Sequence, residues 1–154
     1  GAAHGAPMPL LDAVIDTNMR QPERLLILLD KHFPSLQGVR VALLGLAFKP
    51  DTDDMRESPA IPIARMLLAR GASITAYDPV ARETARAALP PELSYADTLE
   101  HALQDAEAAL LITRWGEFAR LPALLAAMAA PPLLVDGRRM FSRTQFARYE
   151  GIGA

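Results

Sequence analysis

Two groups of residues in this sequence could do chemistry on a ligand. The segment from Gly45 to Glu57 carries Lys49, Asp51, Asp53, Asp54, Arg56 and Glu57, the densest set of charges in the chain. The second group is the basic pair Arg138-Arg139, directly after Val135-Asp136-Gly137. Lysine and arginine near the ends of parallel strands are suited to anionic phosphates, to which they offer charge-assisted donors. The four acidic residues of the first group look like a carboxylate metal cluster. With Lys49 and Arg56 among them, they read instead as an ion-paired loop that holds its own basic residues, and no metal is expected. His4, His32 and His101 show no ligand spacing, and Trp115 and Phe118 read as hydrophobic anchors with a packing role alone. The absence of cysteine excludes disulfides, thiolate metal sites and a cysteine nucleophile within these residues.

A strand, turn and helix over residues 39–70 invite a dinucleotide reading, but the glycines are missing. Gly45 is followed by Leu46, Ala47, Phe48 and Lys49, and the next glycine is Gly71. A dinucleotide fingerprint needs three glycines for the backbone to approach a pyrophosphate. Asp78 could imitate the acidic ribose ligand, or be a turn aspartate before Pro79. Without the glycines, the turn is the better reading.

The elements that must position these groups can be read from periodicity. Leu10, Leu11, Val14, Ile15, Met19, Leu25, Leu26, Leu28 and Leu29 recur at helical spacing, and Pro22 predicts a kink or two abutting helices near Gln21. Val39–Leu44, Ala108–Thr113 and Leu133–Asp136 are apolar runs of strand length, and Ser73–Tyr77 alternates as a strand. Ser58-Pro59 should open a helix with Ala60, Ile63, Ala64, Leu67 and Leu68 toward the core, stopped by Gly71. An Ala- and Arg-rich helix follows Asp78-Pro79. Asp97 with Glu100 resembles a capping box for a helix through Ala106, and Leu121–Ala130 reads as a short helix. The fold class expected is α/β, a Rossmann-like three-layer sandwich. Its mostly parallel sheet has helices on both faces and an N-terminal helical segment before it.

Composition bounds the partners. The chain has 154 residues, 51% of them hydrophobic and 22% charged, which suits one globular domain rather than a disordered segment. A net charge of -2 disfavours the broad phosphate neutralisation of sequence-independent nucleic-acid binding. The longest uncharged run, Leu121–Val135, is interrupted by three prolines, so no membrane span is expected. Residues 1–7 read as a tag or linker remnant or an internal cut. The 28 alanines, and 14 arginines against 2 lysines, point to a GC-rich and therefore bacterial source.

The stretch Val41-Ala-Leu-Leu-Gly-Leu-Ala-Phe-Lys-Pro-Asp-Thr-Asp-Asp-Met-Arg-Glu-Ser-Pro59 resembles the motif that opens the C-terminal domain of the UDP-glucose/GDP-mannose dehydrogenase family. The likeness continues through Tyr77-Asp78-Pro79, residues 111–118, Val135-Asp136-Gly137-Arg138 and Tyr149-Glu150-Gly151-Ile152-Gly153. Upstream, Leu10–Leu26 with Asn18 and Gln21 resembles the later part of the family's central helix. The resemblance implies that residues 8–34 end the central dimerisation helix and that 35–154 form the C-terminal nucleotide-sugar-binding domain. It implies an NAD-dependent, cytoplasmic, homodimeric enzyme of polysaccharide biosynthesis. Such an enzyme oxidises the sugar C6 alcohol to a carboxylate with two NAD, through a thioester on a cysteine that precedes these residues. NAD would be held mainly by an N-terminal NAD-binding domain, so these residues alone should be inactive. By the same resemblance Phe48, Lys49 and Arg138 meet the UDP-sugar, and Arg56 meets NAD across the domain interface. Phe48 is otherwise a core plug between strand and helix. Arg139 stands where many members have asparagine, which leaves Arg138 and Arg139 competing for the phosphates, with Arg138 preferred. The Leu-Ala-Phe-Lys-Pro and Tyr-Glu-Gly-Ile-Gly segments are nearer to UDP-glucose members than to others. Two rival readings are a non-catalytic Rossmann-like nucleotide-binding module and a structural dimerisation piece built on residues 8–33.

Overall fold

The structure is a computed structural model that describes residues 9–153, with side chains from Arg20 onward. The expectations for residues 1–7, and for the apolar side chains before Arg20, lie outside the described residues. A long helix α1 (Pro9–Asp30) leads into β1 (Arg40–Leu44), α2 (Ala60–Ala69), β2 (Ser73–Tyr77), α3 (Arg82–Ala88) and β3 (Ser94–Tyr95). Then come α4 (Leu99–Leu103), β4 (Ala108–Leu111), α5 (Leu121–Ala126), β5 (Leu133–Asp136) and β6 (Tyr149–Gly151). The six strands form one sheet in the order β3-β2-β1-β4-β5-β6, and every pairing is parallel.

The strand runs are apolar because both faces of the sheet are covered. Along β1 the side chains alternate, with Val41 and Leu43 packing on one side and Ala42 and Leu44 on the other. Leu25, Leu26 and Leu29 of α1, Ile63 and Leu67 of α2 and Ala85 of α3 fill the first layer. Leu99 and Leu103 of α4, Leu121 and Leu125 of α5, and Phe118 fill the second. This is the expected three-layer sandwich, with a fully parallel sheet.

Several local expectations give way. Helix α1 runs through Pro22 without interruption. The missing backbone bond is tolerated because Leu25, Leu26 and Leu29, each under 5% exposed, anchor the helix on the sheet. The cap of α4 is Thr98, whose hydroxyl accepts from the His101 amide. Asp97 is exposed and pairs with Arg82 instead. Helices α4 and α5 end at Leu103 and Ala126, earlier than their apolar patterns suggest. The short edge strands β3 and β6 have no counterpart in the sequence patterns.

Candidate functional site

Strand order reverses between β1 and β4: the chain steps outward from β1 through β2 to β3, then returns and steps outward from β4 to β6. In such sheets ligands bind beyond the carboxyl ends of the strands near this switch point. The loops carrying Lys49 and Arg138 leave β1 and β5 at that end.

Two buried carboxylates brace these loops. Asp78, 5% exposed after β2, accepts from the amides of Leu46 (2.7 Å) and Ala47 (3.1 Å) through Oδ2. Its Oδ1 accepts from the amides of Val80 (2.9 Å) and Ala81 (2.8 Å). The Trp115 indole N–H adds a donor to Oδ2 at 3.2 Å, so Trp115 has a polar role beyond packing, contrary to expectation. Asp78 is therefore the turn aspartate, with its acceptor capacity spent inside the protein. Asp136, fully buried at the end of β5, accepts from the amides of Arg138 (3.0 Å) and Phe141 (2.9 Å) and lies 3.0 Å from the Tyr149 hydroxyl. Burial first, and then the Asp136 carboxylate, push the Tyr149 phenol up to about 12.

The loop after β1 has further ties. The Ser58 hydroxyl donates to the Leu46 carbonyl (2.5 Å) and accepts from the Ala60 amide (3.1 Å), tying the loop to the start of α2, whose N-cap is Pro59 rather than the expected Ser58. Thr113 Oγ1 donates to the Ala47 carbonyl at 2.6 Å. Gly45, at φ +85°, has no room for a side chain, since a β-carbon there would meet the Thr113 backbone at 2.6 Å. The place where a nucleotide-binding turn would open toward a pyrophosphate is filled by the β4 loop. With Asp78 saturated as well, these residues do not form a dinucleotide cradle.

The tip of the loop is open. Phe48 is 47% exposed, so it is not the core plug; Leu46 and Ala47, both fully buried, take that place. Lys49 is exposed and makes no ion pair with a described residue. Asp54 chelates Arg56, with Nε at 3.0 Å from Oδ1 and Nη2 at 2.9 Å from Oδ2, and these bonds hold the Asp54 carboxyl down at about 2. The expected ion pairing thus holds for Arg56 but not for Lys49. Asp51 and Glu57 sit at φ 64° and 58°, unusual for residues with side chains.

Arg138 and Arg139 separate. Arg138 lines a cavity of about 150 Å³ with Leu25, Ile112 and Gly137, whereas the Arg139 guanidinium lies against the C-terminal turn, 3.7 Å from where a β-carbon on Gly153 would sit. That cavity contains none of Phe48, Lys49 and Arg56. The four candidate residues therefore share one end of the sheet, but this chain does not gather them around a single closed pocket. Sequence reasoning placed Ser58 at the close of the loop but missed the brace Asp136, and it missed Gly137, where a β-carbon would meet the Leu111 carbonyl at 2.8 Å. The Asp-Gly-Arg triplet was the signal available for Asp136 and Gly137.

A fully parallel α/β sheet with helices on both faces and a switch point between β1 and β4 defines a domain of the doubly wound class. The sequence model described as UDP-glucose/GDP-mannose dehydrogenase family, UDP binding domain, matches residues 42–143, and the chain belongs to that family. It is 47% identical over 150 residues to the UDP-glucose 6-dehydrogenase AglM of Haloferax volcanii, covering 97% of this chain and 34% of that protein. It is 37% identical to the UDP-glucose 6-dehydrogenase TuaD of Bacillus subtilis, covering 90% and 30%. Among solved structures, a UDP-glucose dehydrogenase from the hyperthermophilic archaeon Pyrobaculum islandicum superposes with a TM-score of 0.83 at 35% identity, covering 99% of this chain and 34% of that one. The chain thus spans about a third of the length of the curated relatives it matches.

Proposed function

We propose that this chain is the C-terminal, nucleotide-sugar-binding domain of an NAD-dependent nucleotide-sugar 6-dehydrogenase that converts UDP-glucose to UDP-glucuronate. The observation that carries the reading is the placement of two exposed cations without ion-pair partners among the described residues, Lys49 and Arg138, on braced loops at the carboxyl ends of β1 and β5 in a domain of this family. Each is free to donate to a diphosphate, and the half-exposed Phe48 ring beside Lys49 offers a flat apolar surface to the sugar nucleotide. UDP-glucose is favoured over other sugar nucleotides because the relatives bearing that name reach 47% identity. A GDP-mannose dehydrogenase from Pseudomonas aeruginosa stands at 24% and shares the fold.

The chemistry would belong to the remainder of the enzyme, where bound NAD would supply a hydride acceptor and a cysteine a nucleophile. What this chain contributes is binding and orientation. Arg56, held outward by Asp54 and with its side chain 89% exposed, reaches NAD across the domain interface. The homodimer forms through the segment that includes α1, which leaves Ile27 59% exposed. A cytoplasmic location is in keeping with the described helices, none of which is long and apolar enough to cross a membrane. The Ala- and Arg-rich composition is in keeping with a bacterial source, and the family resemblance suggests service in polysaccharide synthesis.

Calorimetric titration of this chain with UDP, UDP-glucose, GDP-mannose and NAD tests the reading. Binding of UDP and UDP-glucose, with GDP-mannose and NAD weaker, is the expected order. Tight, saturable NAD binding without UDP binding would move the assignment to a free-standing dinucleotide module. No NADH should appear when the chain alone meets UDP-glucose and NAD.

A further inference from the structure

Helix α1 packs against the loop that carries Arg138. The contact is close: a β-carbon on Gly137 would lie 3.2 and 3.3 Å from the two methyl carbons of Leu25. Gln21 precedes Leu25 by four residues and so lies one turn away on the same face of the helix. It lines the same 150 Å³ cavity as Arg138.

The walls of this cavity are otherwise apolar, formed by residues such as Leu25, Ile112 and Ile152, and among the described residues only Gln21 and Arg138 bring polar side chains to it. Gln21 Oε1 is buried and accepts no hydrogen bond from a described residue. A buried amide oxygen without a donor is costly, and a protein of this size carries few of them. Arginine offers five N–H donors in a planar fork and no acceptor, which makes it the complement of a lone carbonyl oxygen. The Arg138 backbone is fixed by the Asp136 carboxylate, while its side chain is exposed at the mouth of the cavity.

We propose that Gln21 is a positioning residue for Arg138: its carboxamide oxygen accepts from one edge of the guanidinium when the nucleotide sugar is bound, leaving the other edge for the diphosphate. The inference rests on the assignment of Arg138 to the substrate. It links the central helix to the binding loop, so that a segment far away in sequence sets the direction of a substrate contact. The unpaired oxygen of the ligand-free domain is the cost of having the acceptor ready, as in other sites where stability is given up for function.

Gln21→Met removes the acceptor at nearly constant shape, and Gln21→Leu repeats the test should the first variant fold poorly. A purely structural glutamine would lose stability and affinity together. A positioning glutamine predicts the opposite split: the melting temperature of the ligand-free domain rises by about 2 to 4 °C. UDP-glucose binding in the full-length enzyme weakens about tenfold, carried by KM rather than kcat. Combined with Arg138→Ala, the same Gln21 substitution should change UDP-glucose affinity less than twofold. Unchanged affinity in the Gln21 variants of the parent, or an equal loss with and without Arg138, overturns the proposal. If Arg138→Ala alone leaves affinity within twofold, the substrate assignment of Arg138 falls and takes the proposal with it, a failure seen without altering Gln21.

Discussion

The two ends of the parallel sheet differ in a way that runs against cavity size. At the amino ends of the strands lie cavities of about 340 and 530 Å³, which share Arg40, Gln104 and Asp105. At the carboxyl ends the cavity beside Arg138 is only about 150 Å³. Yet two buried aspartates organise the loops at the carboxyl ends, and Lys49 and Arg138 there make no ion pair with a described residue. At the amino ends the β1 cation, Arg40, is already engaged by the Asp105 carbonyl (2.6 Å) and the Glu107 carboxylate. A binding site needs fixed geometry and unspent donors more than it needs volume, because the ordering of loops and side chains is then complete before the ligand arrives.

The sharpest way to break this contrast is to remove a brace. Asp78 collects five N–H donors in a buried position, so Asp78→Ala leaves several amides unpaired and should destabilise the domain by about 3 to 5 kcal/mol in denaturant titrations. A loss under about 1 kcal/mol would mean that the loops hold themselves. The second brace can be loosened by pH. Tyr149 has a folded-state pKa of about 12 against an ordinary value of 10.0, so its contribution is fully present below pH 10 and is lost as pH rises toward 12. The loss should be about 2 kcal/mol. Tyr149→Phe should remove that part of the alkaline slope, and an unchanged slope would assign it elsewhere.

Binding tests the contrast directly. Lys49→Ala or Arg138→Ala in the full-length enzyme should weaken UDP-glucose binding about tenfold, near 1.4 kcal/mol, with melting temperature little altered. Arg82→Ala and Arg86→Ala, on α3, should leave it unchanged. If Lys49 and Arg138 prove as neutral as Arg82, they are solvated loop charges.

The layers of the fold were legible because the strands buried on both faces spell continuous apolar runs, and Leu133–Asp136 reads the same in sequence and structure. Strands β3 and β6, of two and three residues, are too short to carry a period and exist because a neighbouring strand offers its edge. Loops were read for their charges, while the direction of Phe48, toward ligand or toward core, stayed open in the sequence. Phe48 points outward because the preceding Leu46 and Ala47 already fill the space beneath the loop. Trp115 looked apolar because nothing in its own segment announces that its N–H meets Asp78. Asp136 reads as an ordinary strand-end residue until Tyr149 and Phe141 are folded against it. Such roles are set by long-range partners, which periodicity does not encode.

The smallest effect belongs to the other end of the sheet, and it is the control on which the contrast depends. The Glu107 carboxylate, with its side chain 39% exposed, accepts from the Arg40 amide at 2.9 Å and stands 3.8 Å from the Arg40 guanidinium. Water can replace it on both groups, and screened pairs of this kind contribute little. Glu107→Ala should therefore cost about 0.5 kcal/mol of stability and leave UDP-glucose affinity within twofold of the parent. It also frees the Arg40 guanidinium from its carboxylate, making the large amino-end cavities more attractive to an anion. If volume and charge alone made a site, the variant would gain a second UDP-binding event in calorimetry. A single event, still abolished by Lys49→Ala together with Arg138→Ala, keeps recognition at the braced end. A second event, or a several-fold loss of affinity, would place nucleotide contacts at the amino ends and undo the contrast.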